Sequence, residues 1–223
     1  MMNKSLSAAP AYMQELFAFG RHYTHIIWDF NGTLLDDTRT GIQSINTLLS
    51  RRGMEPIGSI AQYHALFCFP IVSYYKKVGF DFSKDPFDVL AREWVAEYEK
   101  NVPQAPLRPG AVPVLQAFQE SGIEQIVLSA SERGMLDRQL RDLGIRCFFT
   151  EILGTDDIYG TSKIEIGRNW ARTAVPPRAL MIGDTTHDFA AAQAMEMDCV
   201  LLTGGHQDKK TLSSCGCPVL GPD

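Results

Sequence analysis

The chain contains no apolar run approaching the ~20 residues needed to cross a bilayer. Lys4 is followed by no sustained apolar stretch, so neither a membrane span nor a signal peptide is expected. A basic excess is also missing. Lys and Arg total 21 against 26 Asp and Glu, a formal charge of −5, which argues against a general nucleic-acid binder. Nor is there a disulfide framework. The five cysteines (Cys68, Cys147, Cys199, Cys215 and Cys217) are odd in number and scattered, which suits reduced thiols in a cytoplasmic protein. Cys215 and Cys217 form at most half a metal site, because no second pair or nearby histidine completes it, and they read as an ordinary tail segment. No internal repeat or low-complexity segment is present.

What is present suits a globular fold. At 223 residues, 45 % apolar and 21 % charged, the chain can bury a full core in one domain of moderate size or one domain with an insertion. Residues 1–22 form an N-terminal extension, in which Met13, Leu16, Phe17 and Phe19 predict a short amphipathic helix over 11–22. Ile26-Ile27-Trp28 reads as a buried strand. From Thr38 to Pro103 the pattern is helical. Ile42, Ile45 and Leu49 share a face ended by Gly53. Ser59 caps a second helix, Pro70 opens a third that closes near Gly79, and Pro86 begins a fourth. No strand signal interrupts them. Beyond Pro103 and Pro106, short apolar runs at Ile126-Val127-Leu128, Phe148-Phe149, Leu180-Met181-Ile182 and Val200-Leu201-Leu202 alternate with helical segments, Phe189 to Met195 among them. This rhythm predicts an α/β fold: a Rossmann-like parallel sheet with helices on both faces, built from 23–37 and 104–223, with an all-helical cap inserted at 38–103.

In open parallel sheets, ligands bind beyond the carboxyl ends of the strands. Asp29, Ser129 and Asp184 each follow an apolar run and so are expected at one rim. Two carboxylates brought together there would repel, and a divalent cation resolves the repulsion. Magnesium suits oxygen-only sites that use one or two carboxylates and a substrate phosphate. The plainer alternative is a pair of helix-capping aspartates.

The stretches Trp28-Asp29-Phe30-Asn31-Gly32-Thr33-Leu34 and Gly183-Asp184-Thr185-Thr186-His187-Asp188, with Ser129 and Lys163 (in Gly160-Thr161-Ser162-Lys163) between them, resemble in order and separation the four motifs of the haloacid dehalogenase superfamily, over residues 24–37 and 105–205. The resemblance implies phosphoryl transfer through an aspartate. Asp29 would be the nucleophile. Magnesium would lie among Asp29, the main-chain carbonyl of Asn31 and Asp184, with Asp188 orienting its water or Lys163. Lys163 would neutralise phosphate oxygens, and Ser129 with the backbone N–H groups of Gly32 and Ala130 would cradle them.

Asn31 departs from that pattern. Phosphatases of the superfamily place an aspartate there as general acid and base, and an amide has no proton to transfer. General acid–base catalysis contributes ~10²–10⁴-fold, and its loss weighs most on alkyl phosphates. Three explanations stay open: a water or cap residue supplies the proton, the phosphoenzyme is meant to persist, or the chain is an inactive or engineered relative. Deamidation of Asn31 ahead of Gly32 would restore an aspartate. Asn31→Asp is expected to raise phosphoglycolate turnover roughly 10–1000-fold if the acid step limits.

Other polar residues carry plainer expectations. Asp36 and Asp37 read as residues that cap or complement the next helix's N-terminus, and His187 as a variable loop residue. His64, Phe67 and Phe69-Pro70 fall where a cap approaches the site, with helix packing as the alternative. His206 is a further candidate near the rim. Lys76, Lys77 and Lys84 are available for imine chemistry but sit in no distinctive pattern. The resulting expectation is a cytoplasmic, magnesium-dependent phosphatase acting on a small phosphorylated metabolite, similar to phosphoglycolate phosphatases, with no nucleic-acid or membrane partner. The alternative is a non-catalytic or slow phosphate-binding protein on the same fold.

Overall fold

In the computed structural model, residues 4–156 and 163–222 are described; Gly160-Thr161-Ser162, ahead of Lys163, lies outside them. The chain opens with helices α1 (Lys4–Ser7) and α2 (Ala11–Gly20), then strand β1 (His25–Trp28). Four helices follow without a strand: α3 (Thr38–Arg51), α4 (Ile60–Leu66), α5 (Ile71–Val78) and α6 (Phe87–Asn101). Alternation then begins with α7 (Ala111–Glu120), β2 (Glu124–Glu132), α8 (Arg133–Asp142), β3 (Glu151–Thr155) and α9 (Lys163–Ala174). It ends with β4 (Ala179–Gly183), α10 (Thr186–Ala194), β5 (Asp198–Leu202), α11 (Lys209–Ser213) and β6 (Val219–Leu220).

The six strands make one sheet in the order β3-β2-β1-β4-β5-β6, every pairing parallel. Period-two alternation divides each central strand between two cores. Ile26, Trp28, Val127, Leu180, Ile182, Val200 and Leu202 face one layer, which α2, α7 and α8 cover. Ile27, Ile126, Leu128, Met181 and Leu201 face the other, under α9 and α10. Covering on both faces explains why these strands read as continuous apolar runs. Helices α3 to α6 have a third core of their own, centred on Ile45, Leu48, Tyr63, Tyr74, Tyr75 and Leu90.

Local signals set most boundaries. The Ser59 side chain accepts from the Gln62 N–H at 3.1 Å, and Gly79 ends α5 at φ 111°, a backbone shape that disfavours a side chain. Two expectations need correction. Phe148 belongs to a 3-10 turn, Arg146–Phe148, and Phe149 packs into the core beneath it. The strand begins two residues later, at Glu151. It lies at the sheet edge, where only Ile152 and Thr155 are buried, so its apolar signature is weak. The segment after Cys217 is no plain tail either, because Val219 and Leu220 pair with β5. No helix among the described residues is long and apolar enough to cross a membrane.

Candidate active site

Strands β1 and β4 are neighbours in the sheet, and each delivers an aspartate one residue past its end. Asp29 and Asp184 therefore meet at the carboxyl rim. Asp188 joins them from the first turn of α10, and ligand-capable oxygens of all three lie within 4.8 Å of one another. Thr185 and Asp188 form a capping box at the start of this helix. The Asp188 carboxylate accepts from the N–H groups of Asp184 (3.1 Å) and Thr185 (2.9 Å) and from the Thr185 hydroxyl (2.6 Å), which locks it against the strand end.

Lys163, the first residue of α9, is buried among these acids. Its Nζ bonds Asp29 directly and lies 2.5 Å from Asp188. Burial alone would push the lysine's pKa down, but Asp188 and Asp29 hold it above its ordinary value. Burial would also raise Asp188, yet Lys163 keeps it below the usual carboxylate range. Asp29 is pushed well up, first by burial and then by Asp188 and Asp184, which outweigh Lys163. Asp184 is likewise raised, first by burial and also by Asp188, against the opposing His206.

One lysine thus faces three buried carboxylates. The set offers oxygen donors only, and Asp184 accepts one hydrogen bond per oxygen, from Thr33 Oγ1 (2.9 Å) and the His206 N–H (2.6 Å), leaving each a lone pair. These residues fit a hard divalent cation.

Ser129 lies on β2, and Ala130 and Ser131 follow it along the same wall. Asn31 sits between this wall and a buried polar network. Its Oδ1 accepts from Ser131 Oγ at 2.9 Å, with Ser129 Oγ at 3.5 Å. Its Nδ2 donates to Asp37 Oδ2 (2.8 Å) and to the Tyr98 hydroxyl (2.7 Å).

Asp37 stands at the N-cap position of α3, at the helix N-terminus as the sequence suggests, but its side chain makes no capping hydrogen bond. Its carboxylate instead accepts from the Gly32 N–H (2.7 Å), Tyr98 (2.6 Å) and Asn31, and faces His206 Nε2 at 3.4 Å. It is buried, yet His206 and these donors hold its pKa low. Gly32 itself, at φ 73°, has no room for a Cβ beside Asp184. Its N–H is committed to Asp37, while Asp29, Asn31, Ser129, Ala130 and Lys163 line the cavity.

His206 completes the far side. Burial opposes its charge, but Asp37 raises its pKa to about 9. Its Nδ1 lies 2.8 Å from the Tyr63 hydroxyl, and Phe67 stacks on its ring at 5.1 Å. His187 is no loop residue. It sits in the first turn of α10, stacked 4.3 Å from Phe69, and burial with Lys163 nearby lowers its pKa to about 4. His64 reaches the Gly205 carbonyl at 3.0 Å, so the cap helices touch the rim directly. Lys76 and Lys77 are exposed and stay outside the cavity.

Tyr98 and Ser131 are not candidates from sequence, and Thr33 and Asp37, though noted beside the first motif, carry no site role there. Asp37 lies three residues after the first motif and Ser131 two residues after Ser129, which is a usable signal. Tyr98, 61 positions from Asp37, carries none.

Comparison with known proteins gives a family and a fold. A family model described as haloacid dehalogenase-like hydrolase matches residues 26–202. A phosphoglycolate phosphatase of Rhodobacter capsulatus is 26 % identical over 191 residues, covering 82 % of this chain and 85 % of that protein. The tyrosine-protein kinase PtkA of Mycobacterium bovis is 27 % identical over 186 residues, 81 % of this chain and 62 % of the kinase. Among solved structures, a haloacid dehalogenase-like family protein, SP0104 from Streptococcus pneumoniae, has the same fold with a TM-score of 0.76 at 20 % identity, covering 90 % of this chain and 94 % of its own.

Proposed function

This chain belongs to the haloacid dehalogenase-like hydrolases, and from that premise we propose that it is a magnesium-dependent phosphatase hydrolysing a small phosphomonoester through an aspartyl-phosphate on Asp29. The observation that carries the reading is the buried gathering of Asp29, Asp184 and Asp188 around Lys163 at the end of the strands. Its five free cysteines suit a reducing, cytoplasmic setting.

Asp29, Asp184 and the Asn31 carbonyl would hold the cation, with Asp188 behind them. When bound, magnesium supplies positive charge that screens Asp29 from an anionic substrate and stabilises the transferring phosphoryl group. Lys163 favours the ionised form of Asp29, against burial and the neighbouring carboxylates, and offers N–H donors to phosphate oxygens. Ser129 and the Ala130 N–H line the opposite side. Asp29 attacks phosphorus, the bond to the leaving oxygen breaks, and water later hydrolyses the acyl phosphate.

Asn31 contributes positioning rather than a proton. Its amide is held by Ser131 on one side and by Asp37 and Tyr98 on the other, so it keeps a fixed orientation beside the nucleophile. Hydrolysis of the phosphoenzyme then proceeds without a carboxylate at this place, and slow dephosphorylation is expected.

Acid quenching during turnover of an aryl phosphate with magnesium, followed by peptide mapping, tests the proposal. A phosphorylated Asp29, lost in Asp29→Asn, is the expected result. Phosphate release undiminished in Asp29→Asn would overturn it.

A further inference from the structure

The cavity above Asp29 is about 170 Å³ and is walled mainly by aromatic and aliphatic side chains of the cap. Phe67 and Phe69 line it, stacked on His206 and His187. Trp94 also lines it, stacked 4.8 Å from Tyr98. Ile71, Ala91 and Val95 add aliphatic lining. An apolar cavity of ~150 Å³ is large enough to admit benzene.

Cations are confined to its floor. Lys163 and His206 line the cavity, but Lys163 is engaged by Asp29 and Asp188, and His206 by Asp37. None of the lysines and arginines between residues 38 and 103 lines it. Arg51 and Arg52 pair with Glu97, Asp85 and Glu93 instead. The sequence 157–162, ahead of Lys163, contains no basic residue. A carboxylate on the leaving group, as in phosphoglycolate, would therefore be buried against aromatic rings without a cationic partner, an unfavourable transfer.

We infer that the substrate is a phosphomonoester whose leaving group carries an uncharged aromatic ring, seated among Phe67, Phe69 and Trp94. This rests on the phosphatase reading for its chemistry, and Asn31 fits it: a phenolic oxygen leaves without the proton that an amide does not supply.

Two phosphonates separate the ring from the reaction. Benzylphosphonate and phosphonoacetate are non-hydrolysable and differ in presenting a phenyl ring or a carboxylate. Calorimetry with magnesium present is expected to give about 10–100-fold tighter binding of benzylphosphonate, the range expected for burying one ring. In parallel, kcat/KM for benzyl phosphate should exceed that for phosphoglycolate, both alcohols being poor leaving groups. Ile71→Arg, which brings a cation to the cavity wall, should narrow or reverse the binding ratio. Equal or tighter binding of phosphonoacetate by the native chain, or no binding of either phosphonate, overturns the inference. Tighter benzylphosphonate binding with no turnover of any ester removes the phosphatase reading while supporting the aromatic seat as a binding site.

Discussion

Asn31 Nδ2 donates to Asp37 Oδ2 at 2.8 Å, and the same carboxylate oxygen takes the Tyr98 hydroxyl at 2.6 Å. The amide at residue 31 is therefore matched to a charged acceptor. A carboxylate there would face Asp37 with only the single Tyr98 hydroxyl proton to share between them. This pairing bears on the question the sequence leaves open, why an amide stands where the superfamily's phosphatases place an acid.

Asn31→Asp follows from that contact. Two buried carboxylates at hydrogen-bond distance cannot both ionise, so one pKa rises. A carboxyl whose folded pKa exceeds its unfolded value keeps its stability contribution at low pH and loses it as pH rises through the folded pKa. The variant should match the native chain near pH 4 and fall ~2–4 kcal/mol below it at pH 8 in chemical unfolding. The 10–1000-fold gain in phosphoglycolate turnover anticipated from sequence then requires relief of this repulsion. Asn31→Asp combined with Asp37→Asn should recover stability and show the gain. A single variant as stable as the native chain at pH 8 would contradict the argument.

His206 gives a second pH dependence. Its folded pKa of about 9, raised by Asp37, lies above the ordinary 6.5. Its contribution is fully present below pH 6.5 and is lost as pH climbs through about 9. In chelator-treated protein, unfolding free energy should drop by ~1–3 kcal/mol across that window. His206→Gln should flatten the drop, because the amide has no charge to lose. An unchanged profile in the variant would assign the slope to other groups.

The reach of the sequence follows from the range of each interaction. The acidic rim was readable because a buried strand ending in Asp is a local pattern, repeated at Asp29 and Asp184. Helix boundaries at Ser59, Gly79 and Pro86 were readable for the same reason. Edge strand β3 was misplaced because exposed Glu151 and half-buried Leu153 and Gly154 lack a continuous apolar run, while Phe148 and Phe149 have one for packing. Asp37 looked like a helix cap because its partners Tyr98 and His206 are distant in sequence. The aromatic character of the cavity was partly visible in Phe67 and Phe69, but Trp94 reads equally well as a helix-core residue.

Magnesium should stabilise the folded chain by mass action. Asp29 and Asp184 both have raised pKa values in the absence of a cation, so binding displaces protons and strengthens as pH rises. The magnesium-induced rise in melting temperature should be larger at pH 8 than at pH 5. Asp184→Asn, which keeps the shape but removes a charged ligand, should abolish most of it. A shift of equal size in that variant would place the cation elsewhere.

Gly205 offers a test based on space alone. A Cβ there would lie 2.6 Å from both Cβ and Cγ of Asp184, and closer still to a carboxylate oxygen. That oxygen already accepts the His206 N–H, so the side chain has nowhere to retreat without breaking the contact. Gly205→Ala should displace Asp184 and weaken magnesium binding by at least ~10-fold, a shift of about 1.4 kcal/mol. Gly216→Ala is the control. Gly216 sits at φ 76° with no atom within 4 Å of an added Cβ, so it should cost ~1 kcal/mol of stability and leave magnesium affinity unchanged. Calorimetric titration of both variants separates the two effects. If Gly205→Ala bound magnesium like the Gly216 control, the Asp184 side chain would not be held by this contact, and its position as a ligand would have to be set by Thr33 alone.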